Sequence, residues 1–89
     1  MILPTVTIII KLGLHARASA TLVDCAAAFS SKFRAGKDGQ LVDAKSIMSV
    51  MMLAAGKGTE LELQIEGEDE AAALEALQAL IDNRFGEAE

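Results

Sequence analysis

The sequence predicts an α+β fold: β-α-β-β-α-β-α, an open-faced sandwich whose four-stranded antiparallel sheet carries its helices on one face. Three observations carry the prediction. Strand-like and helix-like segments alternate along the chain. Two of the strands, residues 32–35 and 40–43, flank the turn signal Asp38-Gly39, which makes them an antiparallel hairpin. In residues 59–66, Leu61, Leu63 and Ile65 alternate with Glu60, Glu62, Gln64 and Glu66, giving one dry and one wet face. Helices on both sides of the sheet would have dried the second face.

The first strand is residues 5–10, Thr-Val-Thr-Ile-Ile-Ile, β-branched throughout. Gly13 marks the turn after it. Residues 16–29 lack Gly and Pro, are rich in Ala, and repeat Ala18, Leu22, Cys25/Ala26 and Phe29 at helical spacing. Ser30-Ser31 ends that helix. Cys25 lies on its apolar run and is expected to be a buried structural thiol. Gly36-Lys37-Asp38-Gly39 joins the hairpin strands. Ser46 is placed as the N-cap of a second helix running to about residue 55, closed by Gly56 and Gly58. Ile47, Val50, Met51 and Ala54 share one of its faces. After the last strand Gly67 breaks the pattern, and Glu68-Asp69-Glu70 sets acid at the start of a third helix, where the dipole favours it. Leu74, Leu77, Ile81 and Phe85 form its apolar stripe, with Arg84 near its C-terminal end.

The 89 residues, 52% hydrophobic and 24% charged, fit one globular domain over 1–89. With no Trp or Tyr and a net charge of −5, a base-stacking or phosphate-backbone partner is not expected, so no nucleic acid is assigned. No segment approaches the roughly 20 apolar residues of a membrane span, and the N-terminus lacks the basic region and cleavage site of a signal peptide. One cysteine permits no disulfide within the chain, which suits the cytoplasm. A monomer is expected, because no large apolar strand edge is visible.

Gly13-Leu14-His15-Ala16-Arg17 is the stretch where chemistry concentrates. His15 is the only histidine, so a multi-histidine metal site is excluded, and no Cys-x-x-Cys is present. Cys25 stands nearly three helical turns from His15, too far to pair with it as a nucleophile. Gly56-Lys57-Gly58-Thr59 lacks the spacing of a phosphate loop and reads as a turn. His15 sits at the start of the first helix, where unpaired backbone N–H groups and the helix dipole favour an anion. Neutral imidazole is a good nucleophile toward phosphorus and is available near neutral pH. The N–H groups of Ala16 and Arg17, with the Arg17 guanidinium, are suited to bind phosphoryl oxygens without a metal or cofactor. Local physics leaves a second role open, with His15 a surface cap and Arg17 solvated.

Residues 13–20, Gly-Leu-His-Ala-Arg-Ala-Ser-Ala, resemble the active-site signature of HPr, the histidine-containing phosphocarrier family of the bacterial phosphoenolpyruvate-dependent phosphotransferase system. Residues 45–54, Lys-Ser-Ile-Met-Ser-Val-Met-Met-Leu-Ala, resemble the family's serine-site segment, and His15 and Ser46 stand 31 positions apart as in the family. The resemblance extends over essentially the whole chain. It implies that His15 accepts a phosphoryl group at Nδ1 from phosphorylated enzyme I and passes it to enzyme IIA components, with Arg17 as the stabilising cation and no cofactor. It implies that Ala20, Ile47, Met48 and Met51 lie near a shared docking surface, for which methionine is suited because it repacks against different shapes. Helical spacing aligns Ile47 with Met51 and puts Met48 and Met52 on the adjacent stripe. One stripe is expected in the core and the other partly exposed. In many relatives the serine matching Ser46 is phosphorylated by an HPr kinase/phosphorylase; here Ser46 is also the expected helix cap. The family usually has Pro where this chain has Ala18, and often Gly where it has Ala54. A nitrogen-regulatory paralogue with the same chemistry, or a non-catalytic α+β interaction module, are the alternative readings.

Overall fold

The computed structural model describes residues 1–86; residues 87–89, the end of the domain expected over 1–89, lie outside the described residues. The elements run β1 (Thr5–Thr7), α1 (Ala16–Ala27), β2 (Lys32–Lys37), β3 (Gln40–Asp43), α2 (Ile47–Met52), β4 (Glu60–Glu66), α3 (Glu70–Asp82) and a 3-10 turn at Arg84–Gly86. The sheet order is β1-β4-β2-β3, and every neighbouring pair is antiparallel. β1 and β2 both pair with β4, so they run parallel to each other with β4 between them. The α1 crossover therefore leaves room for a strand that arrives later in the chain, a split β-α-β arrangement. The hairpin turn has positive φ at both Asp38 (54°) and Gly39 (83°), the conformation whose twist matches antiparallel strands.

The core lies between the sheet and the helices. Leu61, Leu63 and Ile65 of β4 are buried, with Phe33 and Ala35 of β2 beside them. Ala18, Leu22 and Ala26 of α1, Val50 of α2, and Ala73, Leu77 and Ile81 of α3 cover them. Glu60, Glu62 and Glu66 remain exposed, so β4 has the dry and wet faces its alternation requires.

Several elements are shorter than their sequence patterns. β1 stops at Thr7 rather than at residue 10. Thr7 pairs with Glu60, and the last bonds of the ladder join Ile8 to Thr59 and Gly58. Beyond them the neighbouring chain turns away at 56–58. Ile8 and Ile10 are nevertheless fully buried, so the β-branched run serves the core beyond the strand. α1 ends at Ala27, where the N–H groups of Ala28 and Phe29 tighten onto carbonyls three residues back. α2 ends at Met52. Ala54, not Gly56 or Gly58, reverses the chain, with a left-handed φ of 51°. Phe85 keeps its place in the apolar stripe of α3 but lies past the helix, buried in the 3-10 turn.

The segment after α1 is tied to the start of α3. The Asp69 carboxylate accepts from the backbone N–H groups of Ser30 (2.8 Å) and Ser31 (3.0 Å) and from both their hydroxyls, the Ser31 bond being very short. The Ser31 hydroxyl, followed by the Ser30 N–H, holds the Asp69 carboxyl down at about 2. Cys25 is half-buried rather than enclosed. It packs against the core edge, and burial pushes its thiol pKa up.

Candidate functional site

His15 is the N-cap residue of α1, with an extended backbone (φ −74°, ψ 179°). The first bond of the helix runs from the Ser19 N–H to the His15 carbonyl at 2.8 Å. The N–H groups of Ala16, Arg17 and Ala18 therefore precede the hydrogen-bond ladder and lie at the positive end of the helix dipole. Arg17 is the second helical residue and is exposed; its carbonyl accepts the Thr21 hydroxyl at 3.0 Å. His15 is half-buried, and its side chain makes no cap bond to its own helix. The start of α1 thus places an imidazole, N–H groups ahead of the helix ladder and a guanidinium on neighbouring residues.

The turn before His15 is held by backbone bonds. Gly13 N–H bonds the Ile10 carbonyl (3.0 Å), and His15 N–H bonds the Gly13 carbonyl (2.9 Å). Leu14 N–H reaches across to the Ala55 carbonyl (2.8 Å), and the Leu14 carbonyl accepts the hydroxyl of buried Ser19 (3.1 Å). Gly13 has φ 67°, and a Cβ there would sit 2.5 Å from the Ala55 carbonyl oxygen. The residue must be glycine both to turn and to let the loop after α2 approach.

α2 departs from expectation. Neither stripe of its apolar side chains enters the core: Ile47 is 41% exposed, Met51 38%, Met48 69% and Met52 78%. Val50 is the helix's buried residue, and Leu53 follows it inward. A two-turn helix lying over the sheet edge has one inward direction, and Val50 with Leu53 fills it. With Leu12, which is 70% exposed on the loop before His15, these side chains supply most of the large apolar surface left to solvent. Ala20 is half-buried on α1. Ser46 caps α2, its hydroxyl accepting the Ser49 N–H at 3.4 Å.

Two participants escape sequence reasoning. Ser19 belongs to a helical run in which nothing marks its hydroxyl for a carbonyl five residues back. The Ala55 carbonyl is distant in the chain, and its bond to Leu14 becomes visible only once the loop after α2 is placed. Among the described residues, no group of three or more His, Cys, Asp or Glu gathers as a metal site, and no helix is long and apolar enough to cross a membrane.

The model of the phosphorylation site of the phosphotransferase-system HPr component matches residues 4–83. A phosphocarrier protein HPr from Cupriavidus necator is 59% identical over 83 residues, covering 93% of each chain. One from Pseudomonas aeruginosa is 58% identical over 85 residues, covering 94% of each. The crystal structure of HPr from Thermoanaerobacter tengcongensis superposes with a TM-score of 0.95 at 44% identity, covering 100% of both chains. With the fold and the His15 turn already in place, these likenesses show that the chain belongs to the HPr family, the phosphocarrier proteins of the phosphotransferase system.

Proposed function

We propose that this chain accepts a phosphoryl group on His15 from phospho-enzyme I and delivers it to enzyme IIA components. The place of His15 carries the reading: it stands directly before three N–H groups that no helix carbonyl occupies. A lone pair of the ring, at Nδ1 by resemblance, forms the new N–P bond as the phosphorus–nitrogen bond to the donor histidine breaks. Delivery runs the same exchange onto a histidine of the acceptor. The Ala16 and Arg17 N–H groups and the Arg17 guanidinium hold the phosphoryl oxygens, so positioning and charge stabilisation supply the catalysis.

Docking is assigned to Ala20 on α1 and to Ile47, Met48 and Met51 on α2. The exposure of the α2 side chains supports this, since exposed methionines adapt to unlike partners. Ser46 is the proposed regulatory position, a substrate for an HPr kinase/phosphorylase. A phosphate there adds about −2 charge beside the apolar surface while tolerating the start of α2, which opposes docking to an acidic partner.

The test is incubation with phosphoenolpyruvate and enzyme I. A mass gain of one phosphoryl group is expected, labile to acid, stable to alkali and missing in His15→Ala. No gain from an enzyme I that phosphorylates another carrier overturns the reading.

A further inference from the structure

We propose that Ser19 is a positioning residue for His15, its hydroxyl occupying the Leu14 carbonyl and thereby fixing where α1 begins. The proposal rests on the reading of His15 as the phosphoryl acceptor. Ser19 is fully buried and donates twice: its N–H to the His15 carbonyl at 2.8 Å and its hydroxyl to the Leu14 carbonyl at 3.1 Å. A helical serine that merely needs a partner finds it at the carbonyl four residues back, within the helix. Ser19 instead reaches five residues back, to a carbonyl outside the helix.

That carbonyl matters because of Ala18. Ala18 stands four residues after Leu14, so its N–H is the natural partner of the Leu14 carbonyl in a helix one residue longer. Forming that bond would turn His15 from an extended N-cap into a helical residue and would use up the Ala18 N–H, which now lies ahead of the helix ladder. Alanine is the best helix former, so residue 18 offers no resistance to such an extension. The Ser19 hydroxyl takes one of the two lone pairs of the Leu14 carbonyl and holds that carbonyl off the helix line, which disfavours the route at the acceptor. A proline at position 18, usual in the family, closes it at the donor by having no N–H. Ser19 and a proline at 18 are thus two solutions to one problem.

The experiment compares Ser19→Ala, Ala18→Pro and the double variant with the unaltered chain. One readout is the backbone: the Cα shift of His15 and the hydrogen exchange of the Ala18 amide. The other is kcat and KM with enzyme I and phosphoenolpyruvate. In Ser19→Ala the His15 shift moves toward helical values and Ala18 gains protection. Its kcat falls about tenfold, the scale of one buried hydrogen bond, while KM changes less. The double variant recovers the His15 shift and kcat. An unchanged His15 shift in Ser19→Ala, an unchanged kcat, or a double variant that stays slow each overturns the proposal. If the unaltered chain takes no phosphoryl group, the reading of His15 fails on its own, and the backbone readout still decides whether Ser19 sets the start of α1.

Discussion

Leu14 donates its N–H to the Ala55 carbonyl at 2.8 Å, which bonds the turn presenting His15 to the loop leaving α2. The proposed acceptor and the proposed docking helix therefore share one rigid link, and Gly13 is what lets the two backbones meet. In Gly13→Ala the added Cβ meets the Ala55 oxygen at 2.5 Å and the Gly56 Cα at 2.7 Å, with φ still at 67°. Both contacts are backbone, so neither neighbour yields by a side-chain rotation. We expect a loss of at least about 2 kcal/mol, or a Tm roughly 10 °C lower, with phosphoryl transfer reduced in the fraction that remains folded. Thermal unfolding beside a transfer assay reads both, and an unchanged Tm refutes the close approach.

Ala54 offers the opposite opportunity. It holds φ at 51°, in the left-handed region, at the end of α2, where glycine is the residue of least cost. It is exposed, and the Lys37 ammonium bonds its carbonyl at 3.4 Å, a contact that needs no Cβ. Ala54→Gly should stabilise the fold by about 1 kcal/mol and raise Tm by about 4–8 °C. A Tm equal to or below that of the parent shows that the alanine is unstrained.

Asp69 sets an acid limit on stability. Its carboxyl is held at about 2 in the folded chain against an ordinary 3.8, chiefly by the Ser31 hydroxyl and then the Ser30 N–H. The folded value is the lower one, so the ionised form stabilises the fold. That contribution is complete above pH 3.8 and fades as pH falls toward about 2. Asp69→Asn removes the charge and leaves an amide facing two hydroxyls. At pH 7 its urea midpoint should lie below that of the parent, and the gap should close between pH 4 and 2. A gap independent of pH would mean that the contribution is steric and not ionic.

The strands, helices and His15 turn were legible because each depends on near neighbours in sequence: alternation in β4, the Asp38-Gly39 turn, alanine density in α1, the Ser46 cap. What escaped depends on partners that meet only in space. Nothing near Ile9 reveals that its neighbouring strand has already turned away at Gly58. The acids at 68–70 suggested a helix dipole effect, whereas Asp69 spends its carboxylate on Ser30 and Ser31, 39 and 38 residues back. Helical periodicity gave the two stripes of α2 correctly but not their orientation, because Val50 and Leu53 between them suffice to fill the space beneath so short a helix.

That orientation predicts that stability and the proposed docking separate within a single helix. Met48 is 69% exposed, so Met48→Ala should change unfolding free energy by no more than about 0.5 kcal/mol. Val50 is fully buried, so Val50→Ala opens a cavity and should cost about 2 kcal/mol. For transfer from enzyme I the order should reverse. Met48→Ala removes apolar contact from the proposed interface and should raise KM about fivefold, the effect of losing roughly 1 kcal/mol. Val50→Ala, assayed well below its Tm, should leave KM near that of the parent. Paired measurement of Tm and KM on the two variants decides the matter. If Met48→Ala docks to enzyme I and to enzyme IIA as the parent does, the apolar face of α2 is not the shared surface, and the methionines left in solvent there require another occupant.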